Sequence, residues 1–232
     1  MTIEHAELPP RAWAAAGTYD WLARAIVVLA FTIMATLSVN GVFHAAINWT
    51  DQPLDHKLLT IAARISNALF LALVAATTVT RLRPIRKATG VQPRASALLG
   101  TFLLGALAFL PRAQLPPIWL AISSALCIVG SLLSFAVLRW LGKSFSIMAE
   151  ARRLVTSGPY ALVRHPLYIC EEIAVAGVFI QILSPLALMI VLLHGGIQFR
   201  RMLNEEKVLR ATFPEYKSYA ARTPRLIPRV TR

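Results

Sequence analysis

The sequence predicts an all-α fold: a polytopic transmembrane helical bundle that ends in a helical hairpin and opens a polar pocket toward the cytosol. Three observations point there. Hydrophobic residues make up 56% of the 232 positions and mean hydropathy is +0.59, too apolar for one soluble core under a polar shell. Apolar runs of about 20 residues recur, the length that crosses about 30 Å of hydrocarbon. Lys and Arg fall in short blocks between those runs, and no alternation of strand type stands out.

The first run, Leu22 to Ile47, carries one charge, Arg24, at its edge. Glu4, Glu7, Pro9 and Pro10 precede it, in place of the basic region and small-residue cleavage site of a secretory signal, so the span is expected to be retained. A short polar loop, Asn48 to Lys57, holds Asp51 and Asp55, and Leu58 to Thr80 forms a second span. Arg64 lies within it about two turns from the loop, where snorkelling or pairing with Asp51 or Asp55 is the favoured reading. The next loop holds Arg81, Arg83, Arg86, Lys87 and Arg94, which the positive-inside rule assigns to the cytoplasm, together with the amino terminus. A third span is expected from Ala95 to Leu110, a turn follows at Pro111, Pro116 and Pro117, and a fourth span runs from Ile118 to Leu138. Arg139, Lys143, Arg152, Arg153 and Arg164 return the chain to the basic side. The expected location is a bacterial inner membrane, crossed several times, with both termini cytoplasmic.

Residues 1–138 thus read as amino-terminal transmembrane helices, and 139–232 as a carboxyl-terminal module with a membrane hairpin at 167–199 and a cytosolic tail. The hairpin consists of Leu167 to Leu183 and Leu186 to Phe199 about Ser184-Pro185, with Ser184 as helix cap and Pro185 in the first turn. Its second arm would be only ~21 Å long. Antiparallel arms bring His165, Pro166 and Tyr168 near Phe199 to Glu205. On the second arm His194, Gln198, Arg201 and Glu205, spaced 4, 3 and 4, share one helical face. Polar groups are costly in a membrane helix, so a polar stripe that converges on a second polar cluster favours function over an ordinary Arg201–Glu205 pair.

Several classes are excluded or disfavoured. The net charge of +13 is distributed as topology signals and not as one basic face, so no nucleic-acid partner is expected. Cys127 and Cys170 lack the spacing of a disulfide framework or zinc site, and no metal is expected. The GxGxxG and GxxxxGK[ST] patterns are absent, so a nucleotide-derived cofactor would be held by helices and loops at the membrane edge. A transporter is disfavoured because no inverted repeat is evident, and no obligate protein partner is inferred.

The segment Leu154-Val155-Thr156-Ser157-Gly158-Pro159-Tyr160-Ala161-Leu162-Val163-Arg164-His165-Pro166-Leu167-Tyr168 resembles the LVTxGxYxxVRHPxY segment of the isoprenylcysteine carboxyl methyltransferase-like membrane proteins, a group related to phospholipid N-methyltransferases. Arg201, Glu205-Glu206, Leu209, Phe213, Tyr216 and Tyr219 resemble that family's second motif. Together they cover about Arg152 to Pro228, whereas the first four spans match only in hydrophobic character.

The resemblance implies S-adenosylmethionine as cofactor, the lipid bilayer as setting and a lipophilic methyl acceptor, either a prenylcysteine-like carboxylate or another lipid. By resemblance, Arg152, Arg153, Leu154, Val155, Tyr160, His165, Pro166, Leu167, Tyr168, Glu205 and Glu206 would line the cofactor pocket, and Arg201 would face the acceptor. Glu206 has an alternative reading as a solvated partner of Arg210, Tyr160 and Tyr168 as interfacial aromatics, and Gly158-Pro159 as a turn. Cys170-Glu171-Glu172 departs from the family pattern, which commonly has Gly at Cys170. Glu171 and Glu172 either reach the reaction chamber as catalytic groups or pair with Arg139 or Lys143. Phospholipid N-methylation, a sterol-reductase-like nicotinamide enzyme and a non-catalytic interaction module stand as alternatives.

Overall fold

The computed structural model describes the backbone of residues 10–47 and 54–228, with side chains from residue 21 onward except that of Asp55. The readings made on Glu4, Glu7, Pro9 and Asp51, on the Asp55 side chain and on most of the 48–57 loop lie outside the described residues.

The chain runs α1 (Pro10–Ile47), α2 (Leu54–Thr80), β1 (Arg86–Lys87), α3 (Val91–Phe102), a 3-10 segment (Leu103–Phe109), α4 (Pro117–Leu141), β2 (Glu150–Ala151), α5 (Pro159–Leu162), α6 (Pro166–Ile182), α7 (Pro185–Thr212) and α8 (Tyr216–Arg222). Four segments in described helices, Trp21–Ile47, His56–Thr80, Pro117–Ser144 and Pro185–Thr212, are long and apolar enough to cross a membrane. The all-α polytopic bundle is therefore the architecture observed, and the chain is an integral membrane protein.

Two expectations about its elements need correction. The third apolar run is not a span-length α-helix: α3 ends at Phe102 and the chain tightens into a 3-10 segment. The second hairpin arm does not stop at Phe199; it continues to Thr212 as one helix of 28 residues, about 42 Å. Arg200 to Ala211 contain no Gly or Pro and are rich in strong helix formers, so nothing ends the helix at the membrane edge. The turn between the arms is as read, since Ser184 Oγ accepts from the Ala187 amide at 3.1 Å and Pro185 opens α7.

The arms of the hairpin are splayed. α6 packs along α4, and α7 packs on α3 and the 3-10 segment, while α6 and α7 meet sparsely. Glycines explain this division. A Cβ on Gly130 of α4 would collide with the Ala174 backbone of α6, and one on Gly177 of α6 would lie 2.7 Å from both Cys127 Sγ and Ser123 O. Such small-residue contacts let backbones approach where the hydrophobic effect between helices is weak. Ser123 Oγ adds a bond to Gly177 O at 2.8 Å and receives one from Gln181 Nε2 at 2.8 Å. On the other side, a Cβ on Gly100 of α3 would sit 2.6 Å from Arg201 Cδ and 2.8 Å from Gln198 Oε1.

One end of the bundle gathers the basic loops. β1 pairs antiparallel with β2, Arg86 opposite Ala151 and Lys87 opposite Glu150, and Leu82 N donates to Lys143 O at 2.9 Å. The loop after α2 and the segment leading into the first motif are thereby tied together. Arg64 rests against Gly41 of α1, whose missing side chain leaves room for the guanidinium.

The α4–α6 contact yields a measurable expectation. Gly177→Val should destabilise the detergent-solubilised protein by about 1–3 kcal/mol through overpacking, read as a lowered Tm, whereas Gly195→Val, which has nothing within 4 Å of its added Cβ, should not.

Candidate active site

Between the splayed arms lies a cavity of about 460 Å³. It is polar at the end that carries the two motifs and apolar where Phe31 of α1, Phe70 of α2, Leu104 and Val178 wall it.

Its polar wall is built from local turns. Gly158 has φ +59° and stands against the Trp140 ring, a place and conformation that a side chain would contest, and Pro159 then opens α5. The turn reading of Gly158-Pro159 is the one observed. The short α5 buries Tyr160, whose carbonyl accepts from Tyr219 Oη at 2.7 Å, so the second motif closes over the first. Burial pushes the Tyr160 hydroxyl well up and that of Tyr219 up to about 12, so both phenols are neutral at neutral pH. His165 precedes α6 as its cap residue with φ −129° and ψ 58°, and Pro166 occupies the first turn.

His165, Leu167, Tyr168 and Tyr160 all lie on the cavity wall, as do Arg152, Arg153, Leu154 and Val155. The stripe of α7 is there too: His194, Gln198, Arg201 and Glu205 all reach the cavity. Tyr168 Oη donates to Glu205 Oε1, and the other carboxylate oxygen, Oε2, lies 3.9 Å from His165 Nδ1. Arg201 is buried, donating from Nη1 to Gln198 Oε1 at 2.8 Å and from Nη2 to the Ile147 carbonyl at 3.1 Å, with its guanidinium 5.4 Å from the Tyr168 ring centre. Tyr168 therefore packs inside the site and is not an interfacial aromatic.

Three residues of the expected set stand off this wall. Pro166 shapes the turn behind it. Glu206 is buried, and its carboxylate is held by Arg225 at 2.8 and 2.9 Å, Arg164 at 3.0 Å and His165 Nε2 at 3.1 Å. It is neither a wall residue nor a solvated partner of Arg210, because the tail folds back and supplies closer cations. Glu172 does not line the cavity and approaches His194 Nδ1 at 3.2 Å without hydrogen-bond alignment. Glu171 does reach the cavity, with Gln198 Nε2 3.5 Å from its Oε2. Neither acid pairs with Arg139 or Lys143, because α6 turns both toward α7.

Sequence reasoning missed two contributors. Arg225 lies beyond the second motif and carries no signal of its role. Gly100 leaves its carbonyl to accept from His194 Nε2 at 3.1 Å and makes room for Arg201, a closeness that no spacing in the sequence reveals. Among the described residues no group of three His, Cys, Asp or Glu side chains could hold a metal ion.

The closure of one motif over the other rests partly on a single phenol. Tyr219→Phe should lower stability by about 1 kcal/mol through loss of the bond to Tyr160 O, seen as a reduced thermal midpoint with an unchanged helix signal by circular dichroism.

Comparison with known proteins finds similarity over most of the same residues. Residues 118–216 match the family model described as phospholipid methyltransferase. Over 83 residues the chain is 37% identical to the cobalt-zinc-cadmium resistance protein CzcN of Cupriavidus metallidurans, covering 34% of this chain and 37% of that protein. Over 117 residues it is 34% identical to the nickel-cobalt-cadmium resistance protein NccN of Alcaligenes xylosoxydans xylosoxydans, covering 47% of this chain and 53% of that protein. The chain thus spans about half or less of the length of these relatives. The matched segment begins in α4 and ends at Tyr216, taking in the first motif and the second as far as Tyr216, though not Tyr219, and the family it matches is that of the membrane methyltransferases that the motifs resemble.

Proposed function

We propose that this protein transfers a methyl group from S-adenosylmethionine to a membrane-associated acceptor. The carrying observation is the cavity: one compartment joins the polar motif wall to an apolar wall inside the bundle, as a reaction between a water-soluble donor and a lipophilic acceptor requires.

The residues present suit the cofactor. Arg152 Nε and Nη1 are buried without hydrogen-bond partners, leaving donors for an anionic group of the cofactor, and Arg201 Nε, likewise unpartnered, is left for the acceptor. Glu205 Oε2 faces His165 Nδ1 with room between them, which suits a cationic group, and the rings of Tyr160 and Tyr168 offer surfaces for a flat base. When bound, S-adenosylmethionine would supply an activated methyl group on sulfur. The chain's task is then alignment and exclusion of water. Arg201, one turn nearer the bilayer than Glu205, would orient the acceptor from the same helix face. Prenylcysteine-like carboxylates are the acceptor class we favour, with other lipid heads as alternatives, because a planar guanidinium pairs with a carboxylate on two prongs.

The two similar proteins have names that refer to metal resistance. If this chain serves in such a response, we read its part as chemistry on a membrane component. The sidedness we propose follows the basic blocks: the 81–94 loop and both termini face the cytoplasm.

Calorimetry tests the donor. Wild-type protein should bind S-adenosylmethionine, and Glu205→Gln and His165→Ala should each weaken binding about ten- to a hundredfold; unchanged affinity in both would overturn this pocket. With labelled donor and extracted membranes, Arg201→Lys should depress turnover while cofactor affinity stays within a small factor. Single cysteines at Lys87 and Arg112 should label from opposite sides of sealed vesicles, and labelling from one side would refute the sidedness.

A further inference from the structure

The tail beyond the matched segment folds back onto the site. Backbone bonds run from Arg164 N to Pro224 O at 2.9 Å and from His165 N to Arg225 O at 3.2 Å, so the strap 224–225 lies alongside the extended residues that precede α6. From that strap Arg225 reaches Glu206 with two bonds, Nε to Oε1 at 2.8 Å and Nη2 to Oε2 at 2.9 Å. Its guanidinium also lies 5.5 Å from the Phe199 ring centre. Arg164 Nη1 adds a third cationic contact at 3.0 Å.

This arrangement constrains the imidazole of His165. A carboxylate held by two arginines is an acceptor only, so His165 Nε2, 3.1 Å from Glu206 Oε1, must carry a hydrogen. Of the two neutral tautomers, Nε2–H is the one that this acceptor selects. Its other nitrogen, Nδ1, then presents a lone pair on the cavity side, where the nearest charged oxygen is Glu205 Oε2 at 3.9 Å. That separation is too long for a direct hydrogen bond, and one bound nitrogen with two hydrogens could span it. Glu205 Oε1 is already occupied by Tyr168, so Oε2 is the oxygen left for a ligand.

We propose that Arg225 is a positioning residue: acting through Glu206, it fixes His165 as the Nε2–H tautomer, so that His165 Nδ1 and Glu205 Oε2 form a two-acceptor seat for a primary ammonium. This rests on the methyl-transfer reading for the identity of the ligand, though not for the state of His165. The ammonium can belong to the amino-acid part of the cofactor or to the head of an amine acceptor.

The test uses the full chain in nanodiscs with nitrogen-15 histidine, the His165 signal being assigned by its loss in His165→Gln. Wild-type protein should show a protonated Nε2 and an unprotonated Nδ1. Arg225→Met should give a mixture of tautomers, and Arg225→Lys should restore part of the wild-type pattern. In parallel, calorimetry compares S-adenosylhomocysteine with its deaminated analogue. Wild-type should prefer the aminated form by about tenfold, and Arg225→Met should erase most of that preference while affinity for the deaminated form stays put. If both forms bind wild-type equally while a long-chain primary amine competes in an Arg225-dependent way, the seat belongs to the acceptor. An unaltered His165 spectrum in Arg225→Met, or an ammonium preference indifferent to Arg225 for both probes, overturns the proposal. If neither nucleoside binds wild-type protein, the cofactor reading fails, and the spectra still decide the tautomer. Should Arg225→Met not fold, Arg225→Lys and Glu206→Gln carry both measurements.

Discussion

The close approach of α6 to α4 is the contact on which the rest of the architecture depends. Gly130 and Gly177 remove the side chains that would hold the two backbones apart, and the Ser123 hydroxyl bridges them through Gly177 O and Gln181. A hairpin whose arms packed only on each other would leave no interior. Because α6 is drawn to α4 while Gly100 draws α7 to α3, the arms separate and a cavity opens between them. The free energy that separates the arms comes from packing and from satisfied polar groups, since apolar surface by itself has little preference for another helix over lipid.

The polar side chains in that cavity are held by a consistent division of labour. Buried Glu206 stands behind the wall and is held by part-buried Arg164 and Arg225 and by His165, three cationic or neutral donors on one carboxylate. Buried ions are tolerable only when so paired. Glu205, one residue earlier and about 100° around the helix, is left to the cavity with Tyr168. Adjacent glutamates in the sequence thus have opposite environments, one saturated by protein and one partly open to a ligand. Arg201 shows the intermediate case: its Nη atoms are claimed by Gln198 and Ile147, while Nε is buried without a partner.

The mini-sheet between β1 and β2 gives the amino-terminal helices a stake in the site. It ties the basic loop after α2 to the strand that delivers Arg152, and α1 and α2 supply Phe31 and Phe70 to the apolar wall. The family match begins only at residue 118, within α4. Helices outside the match therefore shape the apolar part of the cavity.

The sequence by itself determined the class of fold and the convergence of the two motifs. Apolar runs of span length, Ser184-Pro185 as the turn and the 4, 3, 4 spacing from His194 to Glu205 are local or periodic features, and each needs only helix geometry to be read. Tertiary structure decided how the helices pair and which acids face the cavity. Whether α6 chooses α4 or α7 depends on matched small residues far apart in the chain, and periodicity carries no partner label. The fates of Glu206 and Glu172 depend on cations and a histidine delivered by other segments: Arg225 from the tail, Arg164 from before α6 and His194 from α7. The 3-10 segment at Leu103–Phe109 was hidden for the same reason, since an apolar run records burial and not the pitch of the helix that achieves it.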